Sequence, residues 1–116
     1  MEDLKGRTRQ YALRVLRLYT ALPKTTEAQV IGKQLLRSGT SVGAHYAESQ
    51  RAKSNADFIN KIEGALQELE ESAYWLDLLQ DVEIFSKDLL APLRQETEAL
   101  IAIFVTIVRK VKNKAG

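Results

Sequence analysis

The sequence predicts an all-α protein, an antiparallel four-helix bundle with up-down-up-down order. Apolar residues recur at helical spacing along most of the chain, and no stretch alternates apolar and polar residues as a half-buried strand would. Only two prolines occur, Pro23 and Pro92, and polar turn segments divide the chain into four helical blocks. Four helices joined by three short connections are typical of an up-and-down bundle.

Composition is that of a folded protein. The chain has 116 residues, of which 45% are hydrophobic and 28% charged, so we expect one domain over residues 1–116. It contains no cysteine, which excludes disulfides and thiolate metal ligands. The N-terminal residues lack the apolar core of a signal peptide, and the most apolar run, residues 99–108, is too short to cross a bilayer. A cytoplasmic protein with no membrane contact is expected.

The first two helices are separated by a proline. Helix 1 is predicted over about residues 3–22 and ends at Pro23, with Thr25 or Thr26 as the cap of the next helix. Helix 2 is predicted over about residues 26–51. The apolar positions that recur at helical spacing in these two segments are Leu4, Tyr11, Val15, Leu18, Leu22, Val30, Ile31, Leu35, Val42 and Tyr46.

The other two helices each begin at a serine. Ser54 is the expected cap of helix 3, over about residues 54–80, and Ser86 precedes helix 4, over about residues 87–112. Pro92 lies in the first turns of helix 4, where backbone N–H groups lack internal partners, so it costs little. Helix 4 is apolar nearly all round between residues 100 and 108. Because one bundle seam cannot bury such a surface, we predict self-association.

Residues 37–48 are rich in serine, glycine and threonine although they lie inside helix 2. These residue types are weak helix formers, and an interior glycine costs about 0.8–1 kcal/mol relative to alanine. We interpret them as a face that lets another helix approach closely; the alternative is a site that needs bare backbone. The small residues of this predicted seam are Ser38, Gly39, Ser41, Gly43, Ala44 and Ala47.

The run from Arg37 to Glu48 resembles the small-residue signature of the four-helix-bundle proteins encoded by intervening sequences in bacterial 23S rRNA genes. The resemblance covers about residues 35–79. It continues in the segments Ala56 to Lys61 and Ala65 to Glu68, in Glu71, and in Tyr74 to Leu76.

This resemblance implies a left-handed bundle that is commonly a homopentamer and whose biochemical role is poorly defined. A related branch is the accessory variability protein of diversity-generating retroelements, a basic pentamer that binds nucleic acid and a reverse transcriptase. The present chain departs from that branch in its net charge of only +2, and it has Ser49 where many family members have glycine. The polar and aromatic signature residues are Arg37, Glu48, Glu68, Glu71 and Trp75.

The acidic signature residues do not form a recognisable metal site. A di-iron bundle needs a Glu-x-x-His pair on each of two helices, but the chain has one histidine, His45, and it precedes Glu48. A carboxylate site for a hard divalent ion stays open. The structural alternative is solvation or ion pairing, for example between Arg37 and a carboxylate of helix 3. With no nucleophile motif or phosphate loop either, we predict no metal, no cofactor and no enzymatic activity.

Charge placement supplies the functional hypothesis. In an up-down bundle the start of helix 1, the turn between helices 2 and 3 and the end of helix 4 share one end of the molecule. Lysine and arginine at a helix C-terminus favour the macrodipole, but Arg7 and Arg9 near a helix start do not. Phosphate backbones bind such surfaces without sequence readout. The candidate nucleic-acid-binding residues are Arg7, Arg9, Arg51, Lys53, Arg109, Lys110, Lys112 and Lys114.

Together these patterns predict a non-enzymatic bundle that self-associates, by resemblance as a pentamer. It is expected to contact RNA or DNA through the eight basic residues named above. The rival hypothesis is a protein-interaction scaffold that binds no nucleic acid. Tyr74 and Trp75 are relevant to both hypotheses. An aromatic pair can stack on a base, and in the rival hypothesis Trp75 contacts a protein partner. Burial of Trp75 among its apolar neighbours is the favoured interpretation. The sequence names neither a partner nor a cellular process.

Overall fold

The chain folds into four α-helices in the computed structural model, which describes residues 3–115. The helices are α1 (Leu4–Thr20), α2 (Thr26–Ser49), α3 (Asn55–Asp81) and α4 (Lys87–Ala115). No strand occurs within residues 3–115. The predicted all-α fold class is therefore confirmed. Within this part of the chain no helix is both long and apolar enough to span a membrane.

Each helix starts at a side chain that accepts a hydrogen bond from the first turn. Asp3 accepts from Gly6 N at 3.0 Å, and Thr25 accepts from Ala28 N at 3.4 Å, so Thr25 is the cap of α2. Ser54 accepts from Asp57 N at 3.0 Å, and Ser86 accepts from Leu89 N at 3.2 Å. These oxygens satisfy backbone donors that the helices themselves cannot.

Side-chain contacts fix the antiparallel order of neighbouring helices. As residue numbers rise along one helix, those of its partners fall along the next. The contacts that establish this are Gly39 with Val15 and Gly43 with Thr8, Arg37 with Glu71, Lys61 with Glu48, Arg94 with Asp77, and Lys112 with Glu63. The handedness implied by the family resemblance stays a prediction.

The apolar surface of α4 divides between the core and half-buried positions on both flanks of the buried face. Leu100, Phe104 and Val108 are buried, and the Phe104 ring stacks on Tyr46 at a centroid distance of 5.9 Å. Four aliphatic side chains of the same segment are only half-buried in the single chain: Ile101, Ile103, Val105 and Ile107. The bundle thus buries one face of the apolar segment and leaves partial solvent contact on the rest.

A layer of buried hydroxyl groups crosses the core, with one side chain from each helix. Ser38 Oγ and Ser72 Oγ lie 2.8 Å apart, and Tyr11 Oη lies 2.6 Å from Thr97 Oγ1. Burial raises the pKa of the Tyr11 hydroxyl above its ordinary value, while hydrogen bonds with Thr97 and Ser72 oppose that rise. Buried polar groups require such partners. The layer therefore ties α1 to α4 and α2 to α3.

The small residues of α2 form a close seam with α1 at two of the predicted glycines. A Cβ on Gly39 would lie 2.7 Å from Val15 Cγ2, and one on Gly43 would lie 3.3 Å from Thr8 Oγ1. Gly32, which the sequence analysis did not single out, extends this row: a Cβ there would meet Leu22 and Tyr19. The glycine row is the reason that α1 and α2 approach closely.

The seam prediction is wrong for two alanines. Ala44 and Ala47 are exposed. Since a helix turns by about 100° per residue, Ala44 points away from the row formed by Gly39 and Gly43, and Ala47 lies near the rim where α1 begins. Ser38 is buried in the hydroxyl layer, whereas Ser41 is half-buried and donates to its own helix, at Arg37 O.

Candidate nucleic-acid interface

The basic end of the molecule surrounds a shallow depression of about 470 Å³. It lies between the turn that joins α2 to α3 and the last turns of α4. Ser49, Gln50, Ala52, Lys53, Ser54, Asn55, Phe58 and Val111 line it. We use "the basic end" for this depression together with the cations around it: Arg51, Lys53, Arg109, Lys110, Lys112 and Lys114. The structure thus brings together six of the eight predicted nucleic-acid-binding residues.

Most of these cations are free to meet a ligand. All six are exposed. Five of them form no ion pair with any residue between 3 and 115: Arg51, Lys53, Arg109, Lys110 and Lys114. Only Lys112 has an acidic partner in that range, Glu63, at 3.8 Å. Because no carboxylate among residues 3–115 pairs with the other five, the basic end presents a positive field to solvent.

The acidic residues at this end are already engaged. Glu48 pairs with Lys61 at 3.2 Å. Asp57 lies in the first turn of α3 and accepts a hydrogen bond from Lys53 N at 3.2 Å. A carboxylate near a helix N-terminus is favoured by the macrodipole. These contacts direct both carboxylates to the protein itself, so neither lines the depression.

Arg7 and Arg9 stand apart from the basic end. Arg7 forms a two-pronged ion pair with Glu96, through Nε to Oε2 at 2.7 Å and Nη2 to Oε1 at 2.8 Å. These hydrogen bonds hold the pKa of the Glu96 carboxyl below its ordinary value. Glu96 lies about 20 Å before Arg109 along the axis of α4, so the ion pair holds the Arg7 side chain away from the basic end. Arg9 is exposed and makes no ion pair within residues 3–115, and it is not among the described residues that line the depression.

The acidic signature residues form a second polar site, between α2 and α3. Arg37 Nη2 lies 2.7 Å from Glu71 Oε1, and Arg37 Nη1 lies 3.3 Å from Glu68 Oε2. The predicted pairing of Arg37 with a carboxylate of α3 is confirmed. His45 Nε2 approaches the same Glu68 oxygen at 3.6 Å. Glu48 is not part of this cluster, since it faces Lys61.

Packing positions His45 in this cluster. Its ring rests on Gly64, where a Cβ would lie only 2.9 Å from Nδ1. The sequence analysis did not identify Gly64, although a glycine inside a helix is a signal of close approach. His45 Nδ1 and Glu68 Oε1 are buried and have no hydrogen-bond partner within residues 3–115. In the same part of the chain, no group of three or more His, Asp or Glu side chains could hold a metal ion.

The aromatic pair on α3 divides into an exposed and a half-buried ring. Tyr74 is 57% exposed, and Trp75 is half-buried against the core. Their rings meet edge to face at a centroid distance of 5.0 Å. The favoured interpretation, burial of Trp75, agrees with this packing. Tyr74 is left as the exposed aromatic side chain.

Comparison with known proteins gives a family and a structural neighbour. A family model described as 23S rRNA-intervening sequence protein matches residues 3–106. A solved structure from Bacteroides thetaiotaomicron has a TM-score of 0.85 and 36% sequence identity, and the match covers 90% of this chain and 96% of that chain. That neighbour is described as a protein of unknown function from the S23 ribosomal protein family. Among curated proteins, none matches the chain.

Proposed function

The chain belongs to the 23S rRNA-intervening sequence protein family, and on this basis we propose that it is a non-enzymatic, self-associating protein of the cytoplasm. Its basic end binds the phosphate backbone of RNA or DNA. The observation that carries this proposal is the group of exposed cations that have no ion-pair partner among residues 3–115. Such a surface attracts phosphates by releasing their condensed counterions.

The nucleic-acid part is tested by a salt titration of binding. Wild type is expected to bind a short RNA and a short DNA duplex at micromolar concentration, with affinity that falls as salt rises from about 50 to 200 mM. Replacing Arg51, Lys110 and Lys114 together with alanine is expected to weaken binding by about tenfold or more. The slope of log affinity against log salt should fall by about two to three. Fluorescence anisotropy of a labelled oligonucleotide measures both quantities.

The matched control removes the same charge from elsewhere on the surface. Arg17, Lys24 and Lys87 are exposed and make no ion pair within residues 3–115. Their triple alanine variant has the same net charge as the first variant. It is expected to keep the wild-type affinity within about twofold, because it leaves the basic end intact. Equal losses in both variants would show that total charge, and not this surface, governs binding.

Self-association is supported by the half-buried aliphatic side chains of α4 described above. These side chains lie on the two flanks of the buried face, and the apolar surface that they leave partly exposed is available to a second copy of the chain. We expect sedimentation at micromolar concentration to give a species of several subunits, with a pentamer as the state implied by the family resemblance. A monomer under these conditions would overturn this part of the proposal without touching the nucleic-acid part.

The second candidate function is a protein-interaction scaffold. It is favoured by large apolar side chains that remain exposed on α2, on α3 and near the start of α4: Val30 at 58%, Tyr74 at 57%, Val82 at 48% and Leu89 at 59%. Large apolar side chains that are exposed to solvent are available as contact points for a protein partner. If wild type binds neither oligonucleotide even at low salt, this candidate replaces the nucleic-acid proposal.

A further inference from the structure

We propose that the depression at the basic end binds one unpaired nucleotide of a single-stranded nucleic acid. This inference rests on the proposed function, and it adds a site for a base to a surface that otherwise contacts only phosphates. It follows from the mixed lining of the depression and from the cations that surround it. A surface for phosphates alone would need neither an aromatic wall nor a row of neutral polar groups.

The lining has the chemistry of a base-binding site. Phe58 and Val111 supply apolar surface, and both are half-buried. Within residues 3–115 the Phe58 ring makes no contact with another aromatic ring, unlike Tyr46 or Trp75. An aromatic face binds any base by stacking, because every base has a π-face. Phe58 is therefore the residue that we place against the base.

Polar groups line the rest of the depression. Gln50 and Asn55 are exposed amides at its edge, and Ser54 lies between them in the turn. Amides carry both donors and acceptors, so they can pair with the polar edge of any base. Among residues 3–115 no aspartate or glutamate lines the depression, so the phosphates on the sugar of the bound nucleotide meet no carboxylate in that lining.

The cations lie on two sides of the depression, where the phosphates next to the bound nucleotide would lie. Lys53 lines the depression itself, and Val111 lies between Lys110 and Lys112 in the last turns of α4. One wall thus offers a base-binding surface, and the two edges offer charge for the adjoining phosphates. This combination of a basic groove and an aromatic platform is typical of proteins that bind single strands.

The strand requirement separates this inference from simple phosphate binding. In a duplex the base faces are stacked and their edges are paired, so Phe58 cannot reach them without extrusion of the nucleotide. Phosphate contact alone favours the duplex, which has the higher charge density. A preference for single strands at equal salt is therefore the expected signature of the depression.

The test compares Phe58→Leu with wild type on a short uridine-rich RNA and on a duplex of matched length. Leucine keeps an apolar side chain against the core but removes the aromatic face. We expect wild type to prefer the single strand and the variant to lose about tenfold in single-strand affinity, with duplex affinity changed by less than about twofold. Phe85→Leu is the control, because Phe85 is also a half-buried phenylalanine but lies at the opposite end.

A second measurement uses wild type, so it does not depend on the folding of a variant. A thiouridine-substituted single strand is cross-linked by light, and the modified peptide is identified by mass spectrometry. Cross-links to residues 50–58 or to Val111 are expected. Cross-links confined to Tyr74 and Trp75 would overturn the inference, because they would place the base on the exposed aromatic pair of α3.

The outcomes distinguish this inference from the proposed function. Salt-dependent binding with no preference for single strands, or with equal losses in Phe58→Leu on both ligands, overturns the site for a base and leaves phosphate binding in place. Equal losses in Phe58→Leu and Phe85→Leu on the single strand also overturn it. Absence of binding to both ligands overturns the two proposals together.

Discussion

Gly39→Leu is expected to destabilise the fold by about 3 kcal/mol or more, since overpacking a filled core costs about 1–3 kcal/mol and at times more. Even the first added carbon would lie 2.7 Å from Val15 Cγ2 and 3.0 Å from Val15 Cγ1. Val15 is fully buried and β-branched, so it cannot turn aside. Leucine adds three further carbons to this overlap, and α1 must separate from α2 to accommodate them.

Urea unfolding followed by circular dichroism measures the effect, and two variants test its cause. Ala44→Leu introduces the same side chain at an exposed site of the same helix. It is expected to change the free energy of unfolding by less than about 0.5 kcal/mol. Gly39→Ala should become less harmful when Val15 is also replaced by alanine, because the overlapping methyl groups are then gone. Independent, additive effects in that pair would contradict the assigned contact.

Tyr11→Ala is expected to lower the free energy of unfolding by about 3–5 kcal/mol, the range for removing a buried aromatic side chain. Tyr11 is fully buried, and its hydroxyl lies 2.6 Å from Thr97 Oγ1. It bridges α1 and α4, as does the ion pair of Arg7 with Glu96. The alanine variant leaves a cavity and removes the hydrogen-bond partner of Thr97.

Tyr11→Phe separates the two contributions. It keeps the ring and removes only the hydroxyl, so a loss of about 1–2 kcal/mol is expected from the unpaired groups left behind. Tyr74→Ala is the control, because Tyr74 is 57% exposed; we expect a change below about 1 kcal/mol. Thermal and urea unfolding of the three variants give these values. If Tyr11→Phe costs as much as Tyr11→Ala, the hydroxyl layer, and not packing, holds α1 to α4.

The helices were predictable because their determinants are local. Capping by Thr25 or Thr26, Ser54 and Ser86 depends on residues three positions apart. Pro92 is an exception: it is the sixth residue of α4, and Leu90 N already donates to Ser86 O, so Pro92 lies beyond the unpaired first turn to which the sequence analysis assigned it. The pairing of Arg37 with α3 could also be foreseen. Opposite charges on neighbouring antiparallel helices pair readily because they lie within side-chain reach of each other.

The candidate site was predictable in part, for a similar reason. The end of α4 and the turn between α2 and α3 must meet in any antiparallel bundle, so Arg51, Lys53 and the cations of residues 109–114 could be grouped from the sequence. The depression itself could not be foreseen. Its existence depends on how far α4 extends past the turn and on whether Phe58 and Val111 face each other.

Sequence alone therefore determined the number of helices, their limits, their order and the location of the basic end. Tertiary structure decided which side chains meet: Arg7 with Glu96 instead of the basic end, Gly39 with Val15, and Tyr11 with Thr97. It also decided that Ala44 and Ala47 stay exposed. The physical reason is that helical periodicity assigns a residue to a face, whereas its partner depends on the offset and crossing of two helices. A shift of about one turn, 5.4 Å, keeps the apolar pattern and changes every such partner.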